Sequence, residues 1–207
     1  MRTLFLQMCT RSESMVRLSV RSVVERDASL GRSVVADDRE IDRLEIEIDR
    51  LCLRYLATHK PAGAELRTIT TTMKMVTDLE RIGDLSVNLA ERGLELSAGV
   101  GIEPGTDVSV MGELAAGMLR MAAAAFLDAD PALARRLIRQ DREVDRLNRE
   151  AFQRWITAMA AHPDQVDRAL ALTSVSKYLE RIADHACNLG EMVVFLVEGE
   201  DMRHGQR

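Results

Sequence analysis

The chain has 207 residues, of which 46% are hydrophobic, 3% aromatic and 29% charged. This length and apolar content suffice for one large core or two small cores, and the scarcity of aromatic residues favours packed helices over sheets. The formal net charge of -5 argues against nucleic acid as the main partner, because phosphate binding needs a basic surface and base stacking needs aromatic side chains.

The first half of the chain has the apolar spacing of three helices, one over about residues 4–26, one ending near residue 58 and one over residues 62–98. Asp27 and Ser29 are both candidate N-caps of the second helix, because short polar side chains accept hydrogen bonds from the first backbone N–H groups. Pro61 marks the turn before the third helix, since proline rarely continues a helix but commonly opens one.

Glycine and proline cluster at residues 99–106, which predicts a linker. The helical pattern then starts again, over residues 107–127, from Asp130 and Pro131 to His162, and over about residues 164–197. We therefore expect an all-α protein of two tandem three-helix bundles related by internal pseudo-twofold symmetry. The predicted units are a first repeat, a linker, a second repeat and a polar tail, at residues 1–98, 99–106, 107–198 and 199–207.

The sequence also bears on the compartment. Three cysteines without a CxxC pair, Cys9, Cys52 and Cys187, favour reduced thiols in the cytoplasm. No apolar run approaches the roughly 18–20 residues that cross a bilayer, and the N-terminal stretch is too short and polar for a signal peptide. The sequence thus predicts a soluble protein that reaches a membrane only through a partner.

One stretch occurs twice. LERIGDLSVNLAE at residues 79–91 returns as LERIADHACNLGE at residues 179–191, with eight of thirteen positions identical. The shared polar residues fall at i, i+4, i+8 and i+11, along one side of a helix. This acidic stripe consists of Glu80, Asp84, Asn88 and Glu91 in the first copy and of Glu180, Asp184, Asn188 and Glu191 in the second.

A second repeated stretch precedes each copy of the stripe, at residues 38–47 and 141–150, with seven of ten positions identical. It carries two aspartates in each half, Asp38 and Asp42 in the first and Asp141 and Asp145 in the second. Residues equidistant from the turn of an antiparallel hairpin lie level with each other. The carboxylate pairs have their midpoints at Pro61 and next to Pro163, so each half is predicted to be a hairpin that brings four carboxylates together.

Two interpretations of these carboxylates are open. Interspersed arginines could neutralise them, which would make each stripe a charge-paired surface. Alternatively a metal ion compensates the repulsion between like charges, and oxygen ligands favour iron, manganese, magnesium or calcium over structural zinc. The predicted ligands are Asp38, Asp42, Glu80, Asp84, Asp141, Asp145, Glu180 and Asp184. Asn88 and Asn188 could orient these carboxylates, ligate weakly or form ordinary hydrogen bonds between helices.

A helical-bundle metalloenzyme and a purely structural helical module are the alternatives to a regulatory protein. Di-iron enzymes of the bundle type use a Glu-x-x-His motif, which the chain lacks. His185 corresponds to Leu85 in the other repeat, so we expect it not to be a ligand. The chain also has no P-loop, dinucleotide fingerprint or Ser/His/Asp order, and we predict no catalytic residues.

The repeated motifs strongly resemble those of the PhoU family of bacterial phosphate-signalling regulators. The most specific parts are DLERIGDLSVNLAER and YLERIADHACNLGE, with DREID and DREVD in support, and the resemblance covers about residues 10–198. The first helix is shorter and less charged than is usual in the family.

This resemblance implies an all-helical, cytoplasmic protein without established catalysis, which acts as a negative regulator of phosphate uptake and starvation signalling. It implies two partners, the ATP-binding subunit of a phosphate ABC transporter and a sensor histidine kinase, and it leaves a homodimer open. It also implies bound metal, with iron first, at the eight carboxylates named above. As an adaptor, the protein is expected to expose both acidic stripes, including Glu91 and Glu191, as recognition surfaces.

Overall fold

The computed structural model describes residues 1–98, 101–199 and 202. Within these ranges the chain forms helices α1 (Arg2–Val24), α2 (Ala28–His59), α3 (Gly63–Ser97), α4 (Thr106–Asp128), α5 (Pro131–Ala161) and α6 (Val166–Glu198). A 3-10 turn at Pro163–Gln165 joins α5 to α6, so α6 begins slightly later than predicted. The described residues contain no strand, and the all-α prediction is confirmed. Part of the predicted linker and most of the predicted tail lie outside the described residues.

Side-chain caps start the middle helix of each half. The Asp27 carboxylate accepts a hydrogen bond from the backbone N–H of Ser29 at 2.8 Å, so Asp27 is the cap of α2. The Asp130 carboxylate accepts bonds from the two backbone N–H groups that follow Pro131, at 2.9 and 3.0 Å. Each cap satisfies backbone donors that a helix start leaves unpaired.

Four helices form the centre of the molecule and two lie outside. The halves contact each other through α1 with α4 and through α3 with α6, whereas α2 and α5 pack only against elements of their own half. The buried apolar side chains of both halves form one continuous core. The predicted pair of three-helix bundles is thus confirmed, with one large core rather than two small ones.

Helix α4 differs from the expectation about membrane segments. By length and composition alone it could cross a membrane, although half of the relevant window is buried inside the protein. The expectation that no apolar segment is long enough to cross a bilayer was wrong for α4. Alanine, glycine and methionine are only mildly apolar but occur along the whole helix, so its average composition is apolar without a conspicuous apolar run. Its contacts with α1, α5 and α6 account for this composition as that of a core helix.

Candidate carboxylate sites on the two hairpins

The first hairpin places its acidic residues where α2 crosses α3. Ile41 and Leu79, which neighbour these residues in the chain, are fully buried and hold the two helices together. A Cβ atom at Gly83 would lie 3.3 Å from Ile41 Cγ2 and 3.4 Å from Asp38 Oδ1. The absence of a side chain at Gly83 therefore lets the Asp38 carboxylate approach the backbone of α3.

The acidic residues of the first hairpin repel one another. Burial raises the pKa of Asp38, and the nearby charges of Asp42 and Asp84 raise it further. Burial and Asp84 also raise the pKa of Glu80, while Arg81 partly opposes them. The charges of Asp42 and Asp84 therefore lie close enough to Asp38 and Glu80 to raise the pKa of both.

Glu45 is a fifth acidic residue at this site, which the comparison of repeats missed. Its pKa is raised by burial first and then by Asp49 and Asp42. Glu45 follows Asp38 by seven residues and so lies on the same face of α2. Its counterpart is Asn148, so identity between the repeats could not reveal Glu45, whereas helical spacing alone could have.

Cationic side chains pair with acidic residues in both hairpins. Arg81 Nη1 lies 3.2 Å from Asp84 Oδ2, and Arg81 Nε lies 3.5 Å from Glu80 Oε2. In the second hairpin, Lys177 Nζ lies 2.6 Å from the Glu180 carboxylate. Both cationic side chains are more than half exposed, and exposed pairs of this kind add little to stability. The charge-paired interpretation thus describes part of each site.

The second hairpin has a cavity of about 560 Å³ between α5 and α6. All four predicted carboxylates of this half line it, namely Asp141, Asp145, Glu180 and Asp184. Other charged side chains share the walls, namely Arg135, Arg139, Arg142 and Glu191, and Met202 follows from the segment after α6. The second site is therefore a groove that presents both acidic and basic groups to a ligand.

The carboxylates of the two hairpins are suitable ligands for a metal ion, but their side chains are not positioned to bind one. Carboxylate oxygens are the ligands that iron, manganese, magnesium and calcium accept. Among the residues that the structure describes, however, no three His, Cys, Asp or Glu side chains are grouped so that they could hold a metal ion. Glu80, Asp84 and Glu180 face Arg81 and Lys177 instead, so metal binding would require them to rotate out of these pairs.

The outer parts of the two acidic stripes are not equally exposed. Glu91 faces solvent, whereas Glu191 is only 8% exposed and lies in the cavity wall. Asn88 is partly buried, and Asn188 donates a hydrogen bond to Asp78 Oδ1 at 3.1 Å. The expectation of an exposed recognition surface was therefore wrong for Glu191, whereas Asn188 forms the ordinary hydrogen bond between helices that was one of its predicted roles. Asn188 follows Glu180 by eight residues, which corresponds to a rotation of about 80° around the helix axis. Asn188 therefore lies nearer to α3 than the other residues of the stripe do.

Asp78 is the centre of a polar cluster that joins the two halves. It is 9% exposed, and its Oδ1 lies 2.6 Å from His185 Nδ1 across the contact between α3 and α6. A buried carboxylate needs such partners to offset its lost hydration. Asp78 corresponds to Tyr178 and His185 to Leu85, so the cluster breaks the internal symmetry and the comparison of repeats could not predict it.

We expect Asp38→Asn to raise the free energy of unfolding at pH 7 by about 0.5 kcal/mol, the size of one like-charge penalty on a helix. The folded-state pKa of Asp38 is raised, so its ionisation destabilises the folded protein above that pKa. The advantage of the variant should shrink as pH falls through the folded-state pKa towards the ordinary value of about 3.9.

Urea unfolding of both proteins between pH 7 and pH 4 measures this effect. Asp37→Asn is the matched control, because Asp37 is the adjacent residue and lies 3.8 Å from Arg11 with both side chains well exposed. An equal gain from the control, or a gain that does not change with pH, would show that repulsion at Asp38 is not the cause.

Both halves of the chain also match a known family. The family model described as PhoU domain matches residues 5–93 and 108–193, which include both acidic stripes. A curated relative from Pseudomonas putida, named phosphate-specific transport system accessory protein PhoU homolog, is 36% identical over 193 residues, which cover 93% of this chain and 75% of the relative. A relative of the same name from Pseudomonas aeruginosa is 35% identical over 193 residues, covering 93% and 80%.

Solved structures agree with these matches. The crystal structure of PhoU from Pseudomonas aeruginosa superposes with a TM-score of 0.93 at 34% identity, covering 96% of both chains. The phosphate transport system regulatory protein PhoU from Streptococcus pneumoniae superposes with a TM-score of 0.88 at 24% identity, covering 96% of this chain and 94% of that one, which supports the fold. With both repeats matched and identity above 30% over nearly the whole chain, this protein belongs to the PhoU family.

Proposed function

We propose that this protein is a cytoplasmic negative regulator of phosphate uptake and phosphate-starvation signalling, which links a phosphate ABC transporter to a sensor histidine kinase. The observation that carries the proposal is the match of the PhoU domain to both repeats. The curated relatives are named as accessory proteins of the phosphate-specific transport system, which supports a role in phosphate transport. They are not named as enzymes, in keeping with an adaptor that acts by binding.

The duplicated architecture suits an adaptor. The outer helices α2 and α5 belong to different halves and do not contact each other, so each hairpin presents its own surface. Two partners could therefore bind at the same time without competing for one face. The transporter subunit and the kinase are the two partners that we propose.

Deletion of the gene should derepress phosphate-starvation genes in a medium rich in phosphate, because the kinase would lose the signal that phosphate is plentiful. A reporter gene under a phosphate-starvation promoter measures this, with complementation by the intact gene as the control. Expression that still follows phosphate normally in the deletion strain would remove the adaptor proposal.

We also propose that each hairpin can take up a metal ion, with iron first and manganese, magnesium or calcium as alternatives. The proposal rests on the carboxylates that line one groove in the second hairpin and on those of the first hairpin, whose repulsion a cation would relieve. The ion would replace Arg81 and Lys177 as the counter-charge. Asp38, Asp42, Glu80 and Asp84 would serve in the first half, and Asp141, Asp145, Glu180 and Asp184 in the second.

Asp84→Ala should lower metal uptake in the first half and Asp184→Ala in the second, so that each variant loses about half of the bound metal and the double variant loses nearly all of it. Elemental analysis after dialysis against Fe(II) or Mn(II) measures the content. Asp37→Ala, outside the sites, is the control. If the parent takes up no metal, or both variants keep the full content, the charge-paired interpretation stands.

A further inference from the structure

Helix α5 has a long exposed face. Among the helices it packs against α4 and α6, and it also contacts the 3-10 turn at its end. Five arginines follow one another along its exposed side, Arg136, Arg139, Arg142, Arg146 and Arg149. We call these five residues the α5 arginine face.

The equivalent helix of the first half does not share this charge. Helix α5 carries seven arginines and four acidic residues, whereas α2 carries five arginines and seven acidic residues. The repeated stretches at residues 38–47 and 141–150 align the two helices with an offset of 103 residues, so that Arg136, Arg139 and Arg149 correspond to Ser33, Ala36 and Ile46. The two outer helices have the same position in their repeats, so the difference in charge does not follow from the fold.

Much of this charge is not neutralised by the residues that the structure describes. Arg146 is paired with Glu143 and Glu150 at 2.6 Å each, and Arg149 lies 3.9 Å from Asp145 while its side chain is 70% exposed. No acidic group of the described residues lies within ion-pair distance of the other three members, Arg136, Arg139 and Arg142. Three guanidinium groups are therefore available to anionic groups of another molecule.

The face continues into an apolar end. Phe152 and Ile156 follow the arginines on α5 and are both 46% exposed. Large apolar side chains beside a charged row are typical of protein interfaces, where the apolar groups supply most of the affinity and the charges supply orientation and association rate.

We propose that the α5 arginine face, together with Phe152 and Ile156, docks an acidic amphipathic segment of a protein partner. This inference rests on the proposed adaptor function and names the surface and the partner chemistry. Carboxylates of the segment would pair with Arg136, Arg139 and Arg142, because arginine binds carboxylates in a bidentate manner. Apolar side chains of the segment would cover Phe152 and Ile156.

Other anionic partners fit this face less well. Arg139 and Arg142 stand in the wall of the groove that also holds Asp141, Asp145, Glu180 and Asp184. A nucleic acid or an anionic membrane, with negative charge throughout, would be repelled by this acidic wall and by a net charge of -5. A protein segment can place its carboxylates at the arginines and keep neutral or basic groups opposite the acidic wall.

The test replaces three arginines by the residues at the equivalent positions of α2, in the triple variant Arg136→Ser, Arg139→Ala and Arg149→Ile. The matched control removes three exposed arginines from α2, in the triple variant Arg32→Ala, Arg39→Ala and Arg50→Ala. Binding of each protein to the purified ATP-binding subunit and to the cytoplasmic part of the kinase is measured at 50 and 300 mM salt. Thermal melting verifies that both variants are folded.

The α5 variant should bind at least one partner about tenfold more weakly at 50 mM salt, with a smaller loss at 300 mM, because salt screens exposed charges. The α2 control should change affinity by less than about threefold. Photocrosslinking from position 153 should label a net acidic segment of the partner, and crosslinking from the equivalent position 50 should not label that segment.

Parent-like binding by the α5 variant at both salt concentrations, an equal loss in the α2 control, or crosslinking to a basic segment would overturn the docking proposal while the adaptor function stands. Stronger binding of the parent to vesicles of phosphatidylglycerol and phosphatidylcholine or to duplex DNA, lost in the α5 variant, would overturn the choice of a protein partner. If the parent binds neither subunit, the adaptor proposal itself fails, and the docking proposal fails with it.

Discussion

Gly112→Ala is expected to lower the free energy of unfolding by about 1–3 kcal/mol, the range for overpacking a well-packed core. Gly112 lies on α4, and a Cβ atom there would be 2.6 Å from Val20 Cγ2 and 2.8 Å from Val20 Cγ1. Val20 lies on α1, is nearly buried and, being β-branched, cannot easily rotate away. The added methyl group would therefore push apart α1 and α4, one of the two contacts between the halves.

Gly117→Ala in the same helix is the matched control. Its Cβ atom would have only the Arg120 side chain within reach, at 3.8 Å. Alanine favours a helix over glycine by up to about 1 kcal/mol, so Gly117→Ala should stabilise the protein slightly. Thermal melting compares the two, and a change of 1 kcal/mol shifts the midpoint by roughly 2–4 °C at this chain length. If Gly112→Ala melts as high as Gly117→Ala, the close contact between the halves is not as the structure describes it.

The sequence predicted the helices well because their signals are local. Each of α2 and α5 begins at an aspartate that caps it, Asp27 and Asp130, and capping depends on neighbours in the chain. Pro61 and Pro163 lie between the helices of their hairpins, where the midpoints of the carboxylate pairs require a turn. The carboxylates of each hairpin lie close together because they are separated from the turn by equal numbers of residues.

The contacts between the halves could not be predicted in this way. Asp78 pairs with His185 and Asn188, and it lies more than 100 residues from both in the chain. The repeat comparison assumes that equivalent residues have equivalent surroundings. Glu91 and Glu191 show why this fails, since one faces solvent and the other lies in a cavity wall.

The second expected result concerns the repeated carboxylates themselves. Glu80→Gln with Asp84→Asn and Glu180→Gln with Asp184→Asn, combined in one protein, should derepress phosphate-starvation genes in rich phosphate nearly as far as the full deletion. These substitutions keep the shape of each side chain but remove the charge that a metal ion or a basic partner surface would recognise. They also remove repulsion between Glu80 and Asp84 in the first cluster, so the variant should fold.

A matched control removes the same amount of charge elsewhere. Glu40, Glu47, Glu143 and Glu150 lie on the outer helices α2 and α5 and pair with Arg43 and Arg146 rather than with the clusters. Their replacement by glutamine should leave repression intact. The control therefore separates the loss of the carboxylate sites from a general change in net charge.

Reporter expression in the deletion strain, complemented in rich phosphate with the parent, the cluster variant or the charge-matched control, tests most directly whether the two carboxylate sites carry the regulatory function. We expect repression with the parent and the control and derepression with the cluster variant, at equal levels of folded protein. Full repression with a folded cluster variant would show that the carboxylate sites do not carry the regulatory function.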